Sequence, residues 1–449
     1  MDPIVTLFGP LFSRGAASIG DDAWLQAMLD AEAGLARALE RAGLAPAGSG
    51  TAVTAAASAS FFDHGKLGRA AAATGNPVPA LVATLTGLVP AGHAGAVHRG
   101  ATSQDIIDTA AMLIAKRALA TIMADLSIAA SACAALTEAH ATTVMAGRTL
   151  LQQAVPVTFG LVTAGWLTAI DEARQRLAQL SDHQLAIQYG GAAGTLAPLG
   201  DKGPRVAELL AEELGLANPL LPWHTNRLRI IDLAAALAAT CAALGKIARD
   251  ITLLAQTEVA EVHEQTGGGS SAMPHKQNPV AAIVILGHTK QAPGLLATLA
   301  AAAEQEHQRA AGAWHSEWQP LSHLLELTAS AASWSADLLT NLQVDPARMR
   351  ANLIASAGLP MAENVAALLT PALGRLEAHD LVARASGRAK AQGASLAEAL
   401  YGDDQSAAKL AAAHLSRDQL EAALTPESYL GATPEFIARA LAAHAEFRS

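Results

Sequence analysis

Three polar islands carry most of the side chains in this chain that could grip or move charge. The first is "HRGATSQDIIDT", His98 to Thr109; the second is "MAGRTLLQQAVP", Met145 to Pro156; the third is "TGGGSSAMPHKQNPV", Thr266 to Val280. In the third, glycines let backbone N–H groups approach an anion. No Gly-Lys-Ser/Thr follows at the spacing of a nucleotide-phosphate loop. A serine on such a loop works as a base only if those donors and a nearby cation lower its pKa strongly. A surface linker accounts for Gly267 to Ser271, but less well for Met273-Pro274 followed by Lys276 and Asn278.

The other two islands suit carboxylates. Thr102 and Ser103 precede a long helical run and Asp105 lies near its start, the pattern of an N-cap. A helix N-terminus with spare N–H groups also holds anions, so cap and binding site are compatible. Arg148, Thr149, Gln152 and Gln153 read as a solvated loop and first turn, or as a grip on a bound carboxylate. His98 and His275 lie inside islands and are candidates for substrate contact. His263 and His307 read as surface or packing residues, Asp105 as a structural cap, and Trp314 and Trp318 as packing. Arg99 and Arg148 would favour extra negative charge on a ligand. No His/Cys/Asp cluster has metal-ligand spacing, and neither a metal nor an organic cofactor is expected.

These islands must be positioned by helices. The chain of 449 residues is 51% hydrophobic but only 4% aromatic, much of the apolar content being alanine. Alanine loses no side-chain entropy in a helix, so an all-α protein with closely approaching helices is expected. Amphipathic runs cover Asp22 to Ala42, ended by Gly43, and Asp105 to about Ala141, with Ile106, Met112, Leu113, Leu119, Ile122, Leu126 and Ile128 among the apolar positions. Pro156 to Leu180 reads as a helix with proline in its first turn. In Arg227 to Glu264, Ile230, Leu237, Leu244 and Ile251 recur every seven residues and Ile247 and Leu254 add a second seam, a bundle-packing pattern. Pro279 to Glu306, bent at Pro293, and Trp314 to Leu342 follow, then shorter helices beyond Leu353. No strand-rich segment and no repeat is evident. Helices of about 30–38 residues span roughly 45–57 Å, longer than one small domain needs, which points to a bundle shared between subunits.

Net charge is −10, which disfavours a nucleic-acid surface, and no basic tract points to a membrane. An acidic protein still binds an anionic substrate where positive groups converge in a cleft. Cys133 and Cys241 read as small core residues. The opening "MDPIVTLFGPLFSRG" has no basic segment followed by an apolar one, and no uninterrupted run of about 18 apolar residues exists, so a cytoplasmic protein without a spanning helix is expected.

The third island, "GGGSSAMPHKQNP", resembles the signature of the fumarase/aspartase superfamily, G-S-S-x-M-P-x-K-x-N. "GATSQDIIDT" and "GRTLLQQAVP" resemble its two other motifs in the same order, and the resemblance covers roughly residues 12–370. "VHRGATSQDIIDT", "QYGGAAGTLAPLG" and "EHQRAAGAWHSEWQPL" look closest to one branch, the bacterial 3-carboxy-cis,cis-muconate cycloisomerases. The resemblance implies an all-helical, three-domain subunit, here 1–105, 106–345 and 346–449. It implies a homotetramer with a twenty-helix bundle and active sites built from three subunits, acting on a small polycarboxylate without a cofactor. By the same resemblance Ser270 is the proton-transferring base, Lys276 and Asn278 hold a substrate carboxylate, and Thr102, Ser103 and Gln152 are further ligands. Arg309 matches a substrate-contacting arginine of adenylosuccinate lyases.

One departure narrows the chemistry. Many lyases of the superfamily have Thr-His in the second motif, and the histidine helps protonate the leaving group; here the position is Leu150. Amines and alkoxides leave badly without a proton, and general acid catalysis supplies about 10²–10⁴-fold. A carboxylate, with a pKa near 4, leaves as its stable anion. The expectation is therefore a cycloisomerase. The alternatives are a β-eliminating lyase of adenylosuccinate- or nitrosuccinate-type substrates, or a non-catalytic structural homologue; the latter need not keep Ser270, Lys276 and Asn278.

Overall fold

The computed structural model describes residues 7–265, 268, 269, 273 and 276–448. Helix dominates, and the helices that frame the three islands are α1 (Asp21–Arg41), α2 (Ser103–Ala139), α3 (Phe159–His183), α4 (Leu228–Leu254), α5 (Val280–Thr289), α6 (Ala292–Ala302) and α7 (Trp318–Thr340). At 37 residues, α2 is about 55 Å long at 1.5 Å per residue. Shorter helices build the remainder, from Pro346–Ile354 to Thr433–Arg448.

The chain divides into two compact units. One comprises Met1–Ser127, Glu172–Lys246 and Ile283–Ala336; the other comprises Ile128–Asp171, Ile247–Ala282 and Asp337–Ser449.

In the first unit, α1 buries Leu25, Leu29, Leu35 and Leu39 along one stripe, each side chain contributing about 1.5–3 kcal/mol. The expected seam of α4 is also buried, with Ile230, Leu237 and Leu244 in the first unit and Ile251 in the second no more than 1% exposed. In the second unit, Val365, Leu369, Leu381, Leu396, Leu400, Leu410 and Leu420 form a core of their own within the tail helices. Cys133 and Cys241 are buried, as their apolar surroundings in the sequence require, and burial pushes both thiols up.

Several expectations are corrected. Strands do occur, among the described residues as three two-stranded antiparallel ribbons: β1 (Val144–Thr149) with β2 (Gln152–Thr158), β3 (Val262–Glu264) with β6 (Leu342–Val344), and β4 (Gly268–Gly269) with β5 (Gln277–Asn278). Pro156 lies in β2 opposite Ala146, and α3 begins three residues later at Phe159. A two-stranded ribbon has a free edge, where a residue without N–H is tolerated. Helix α4 ends at Leu254, ten residues short of the expected end. The chain turns through Ala260 (φ +51°) and the Glu261 N–H donates to Leu254 O at 2.9 Å. The stretch around Pro293 is a break rather than a bend: α5 stops at Thr289 and Pro293 sits in the first turn of α6, where a missing N–H costs nothing. Ile128 is 52% exposed.

The hydropathy expectation also changes. Averaged over 18 residues, Ser103–Ala139, Leu228–Leu254 and the stretch Val280–Ala302 are apolar enough, by length and composition only, to cross a membrane. Polar residues scattered through them hide this from a search for unbroken runs. Within one chain only 33%, 50% and 28% of these windows are buried, so much apolar helical surface is left uncovered.

Candidate active site

The first island folds as the N-terminus of α2. Asp105, 1% exposed, reaches back so that its Oδ2 accepts from the Thr102 N–H at 2.9 Å. The same carboxylate accepts from the N–H groups of Gly190 (3.1 Å) and Gly191 (2.9 Å) and from His224 Nε2 (2.7 Å). Asp105 is thus the cap and the anchor of the 190–191 turn. The hydroxyls of Thr102 and Ser103, read as possible caps, make no hydrogen bond with the described residues. Both side chains are half-buried. Two free hydroxyls at a positive helix end are ready to receive a carboxylate.

One turn further along α2, a buried ionic network fixes the surrounding loops. Arg227 donates to Asp108 (Nη1 to Oδ2, 2.8 Å) and to Glu317 (Nε to Oε1, 2.9 Å), all three side chains no more than 3% exposed. Trp314 Nε1 donates to Asp108 Oδ1 at 3.0 Å, and Gln305 Nε2 to Glu317 Oε1 at 2.8 Å. Burial pushes the Glu317 carboxyl up, with the Arg227 guanidinium partly offsetting it. The expectation that Trp314 packs is met, with an added polar role.

This network holds the segment that delivers Arg309. Arg309 Nη2 donates to the carbonyls of Ala192 (2.9 Å) and Gly191 (3.3 Å), and Nη1 lies 3.5 Å from Gln104 Oε1. The structure therefore brings Arg309 to the first island, 205 residues away in sequence.

His98 joins the same place from the other side. Its backbone is left-handed (φ +55°), its N–H donates to Glu32 Oε2 at 2.9 Å, and its Nδ1 lies 2.6 Å from Glu32 Oε1. Gly100 follows at φ +75°; a Cβ there would lie 2.8 Å from the Tyr189 hydroxyl, which donates to Arg99 O. Arg99, read as a possible anion ligand, is instead turned to the carbonyl of Leu44.

In the second unit the second island is the β1–β2 hairpin. Leu150 and Leu151 form its two-residue tip, both with positive φ (51° and 63°), 97% and 74% exposed. Such turns ordinarily take Asn-Gly, because bulky residues resist φ > 0. Gln152 is exposed beside the tip, its Nε2 donating to Leu151 O at 3.2 Å. Gln153 is held by Asn352 and Ser356. Arg148 does not await a ligand: it pairs in a two-pronged bridge with Glu261, which is fully buried.

The third island lies in the second unit and carries the β4–β5 ribbon. Lys276 is exposed and Asn278 half-buried, with the Lys276 N–H donating to Met273 O at 3.0 Å. Glu264 accepts from the N–H groups of Ala281 (3.0 Å) and Ala282 (3.0 Å), capping α5 just after the loop. Ser270 and His275 lie outside the described residues. His98, Thr102, Ser103 and Arg309 meet in the first unit; Gln152, Lys276 and Asn278 belong to the second, where no hydrogen bond among the described residues joins Gln152 to the other two.

A family model described as "Lyase" matches residues 18–294, and one described as "Adenylosuccinate lyase C-terminus" matches residues 358–440. The chain belongs to the fumarase/aspartase superfamily. Members similar to it include a 3-carboxy-cis,cis-muconate cycloisomerase of Bradyrhizobium diazoefficiens, 47% identical over 97% of this chain and 97% of its own length. A nitrosuccinate lyase of Streptomyces davaonensis is 47% identical over 95% of this chain and 91% of its own. Among solved structures, the 3-carboxy-cis,cis-muconate lactonizing enzyme from Pseudomonas putida superposes with a TM-score of 0.90 at 41% identity, covering 99% of this chain and all of that one. Superfamily membership accounts for the order of the three islands and for the helical architecture. Sequence reading passed over Glu32, Asp108, His224 and Glu261. The signal for Glu32 was present: it shares the apolar face of α1 with Leu25, Met28, Leu35 and Leu39, where a lone carboxylate calls for a partner.

Proposed function

We propose that this protein is a cycloisomerase that closes 3-carboxy-cis,cis-muconate to a carboxymuconolactone, a step of aromatic (protocatechuate) catabolism. The observation that carries the reading is Leu150. The position where related lyases place a proton donor is a leucine at an exposed hairpin tip, a side chain that cannot serve a basic leaving group. Lactonisation needs no such donor, because its reverse expels a carboxylate, a stable anion. The relatives named cycloisomerase and lactonizing enzyme support the same assignment.

In the reaction, one substrate carboxylate oxygen bonds to the C=C carbon β to a second carboxylate, and the alkene electron pair moves into that carboxylate to form an aci-carboxylate dianion. Lys276, Asn278 and loop N–H groups stabilise the developing charge. Ser270 delivers a proton to the α-carbon and regains one from solvent. Thr102, Ser103, Gln152 and Arg309 hold the remaining carboxylates, with His98 and His275 beside them. The enzyme acts in the cytoplasm as a homotetramer whose sites draw on three subunits, each subunit built in three parts. The uncovered apolar surface of Ser103–Ala139, Leu228–Leu254 and Val280–Ala302 is what a shared helical bundle would bury.

The relative named nitrosuccinate lyase, equally similar, keeps one second reading: β-elimination of a stable anion from a succinate. Incubation with 3-carboxymuconate, followed by loss of ultraviolet absorbance, tests the proposal. Nitrite release from nitrosuccinate without lactonisation would replace it with the second reading, and fumarate release from adenylosuccinate would overturn both.

A further inference from the structure

Glu32 is a carboxylate with no solvent exposure, carried on the apolar face of α1. Both its oxygens go to one residue: Oε2 accepts from the backbone N–H of His98 and Oε1 lies 2.6 Å from its ring Nδ1. Burying an unpaired carboxylate is costly, and pairing with a cation is the usual remedy. We infer that Glu32 is a positioning residue, which holds His98 as an imidazolium and fixes its left-handed backbone so that the second ring nitrogen, Nε2, serves as a cationic N–H donor to a substrate carboxylate at the N-terminus of α2.

Three observations carry this. The His98 side chain is 21% exposed, so its ring is reachable from solvent. Among the described residues nothing bonds to Nε2. The neighbouring ligands, Thr102 and Ser103, are neutral, so a charged donor at His98 adds what they lack. The groups facing the imidazole agree in sign. Glu32 comes from α1 and Asp105 from the first turn of α2; burial pulls the imidazole pKa down, but these two carboxylates outweigh it and hold it above its ordinary value. Tyr189 lies near the same carboxylates, and burial together with Asp105 and Glu32 pushes its phenol up, so it stays neutral. The Arg99 guanidinium is occupied by Leu44 O. Left-handed backbone at a bulky residue is strained and persists only where the surroundings enforce it; the Glu32–His98 N–H bond is that enforcement.

The inference rests on the reading that a polycarboxylate occupies this helix end, and the test separates the two. Histidine ring carbons labelled with ¹³C are titrated by NMR in the protein without substrate, His98 being assigned from its loss in His98→Gln. His98 should titrate above about 6.5, the ordinary imidazole value, and below it in Glu32→Gln. A wild-type His98 that titrates at or below the ordinary value overturns the inference, whatever the substrate proves to be and whether or not Glu32→Gln folds. Steady-state kinetics with 3-carboxymuconate supply the second arm. Glu32→Gln should raise KM about tenfold near pH 7.5, within the worth of a charge-assisted hydrogen bond, with a smaller change in kcat and recovery toward pH 6. The same substitution placed on His98→Gln should add nothing. A lowered melting temperature with an unchanged pH profile of KM would make Glu32 merely structural.

Discussion

Arg148 and Glu261 meet face to face, Nη1 to Oε2 at 2.8 Å and Nη2 to Oε1 at 2.7 Å, with Asn352 Nδ2 adding a third hydrogen bond to Oε1 at 2.8 Å. The arginine of the second island is therefore a strut that ties the hairpin to the chain beyond α4. Removing one partner leaves a fully buried carboxylate uncompensated. Arg148→Met should destabilise the protein by on the order of 3 kcal/mol, measured by denaturant unfolding. The double variant Arg148→Met/Glu261→Gln should recover part of that loss; a double-variant loss equal to the sum of the two single losses would show that the pair has no coupling.

The hairpin also depends on Gly147. It sits at a bulge, one residue of β1 facing two of β2 between the pairs Ala146–Pro156 and Arg148–Gln153. A Cβ at this position would lie 2.7 Å from the Val155 carbonyl. Gly147→Ala should therefore cost about 1–3 kcal/mol, as overpacking does, and raise KM by displacing Gln152. An unchanged melting temperature and KM would show that the bulge adjusts freely.

Thr102 and Ser103 offer a sharp contrast between cap and ligand. As caps, their loss would cost about 1 kcal/mol each. Asp105 already accepts the Thr102 N–H, so Thr102→Ala and Ser103→Ala should leave thermal stability near wild type and raise KM for the polycarboxylate. Stability loss with intact KM would return both to a capping role.

Ser270→Ala tests the base. Turnover should fall about 10²–10⁴-fold, the usual contribution of a positioned proton-transfer group, while the far-ultraviolet dichroism stays native. Near-wild-type kcat would remove serine from that role.

Stability should also depend on pH through Glu32 and His98. The folded-state imidazole pKa lies above its ordinary value, so protonation favours the folded state. The contribution is complete below about 6.5, the ordinary imidazole pKa, and is lost as pH rises through the native value. The stability difference between wild type and Glu32→Gln should shrink from pH 6 to pH 9 in urea denaturation. A difference that grows with pH would reverse the assigned charge.

Much of this molecule is legible in its sequence because much of it is repetitive physics. Alanine content and the seven-residue recurrence of Ile230, Leu237, Leu244 and Ile251 suffice to place α4 and its buried face. The islands stand out because they lack such periodicity, and their resemblance to three motifs in order leads to the superfamily. The errors cluster where local rules compete. Pro156 suits a first helical turn as well as an edge strand, and only pairing with Ala146 decides. Arg148 suits a substrate carboxylate as well as Glu261, 113 residues away. Short ribbons such as β3–β6 join segments about 80 residues apart, beyond the reach of any local pattern.

The sequence alone determined the helical class, the superfamily and the absence of a proton donor at Leu150, since each depends on residue type and near-neighbour spacing. The tertiary structure decided which polar groups are already taken. Arg148, Arg99 and Asp105 have partners within the chain; the hydroxyls of Thr102 and Ser103 bond to none of the described residues, and His98 has the buried Glu32 against it. A side chain's availability depends on what long-range folding brings within about 3 Å of it, and spacing along the chain does not encode that distance.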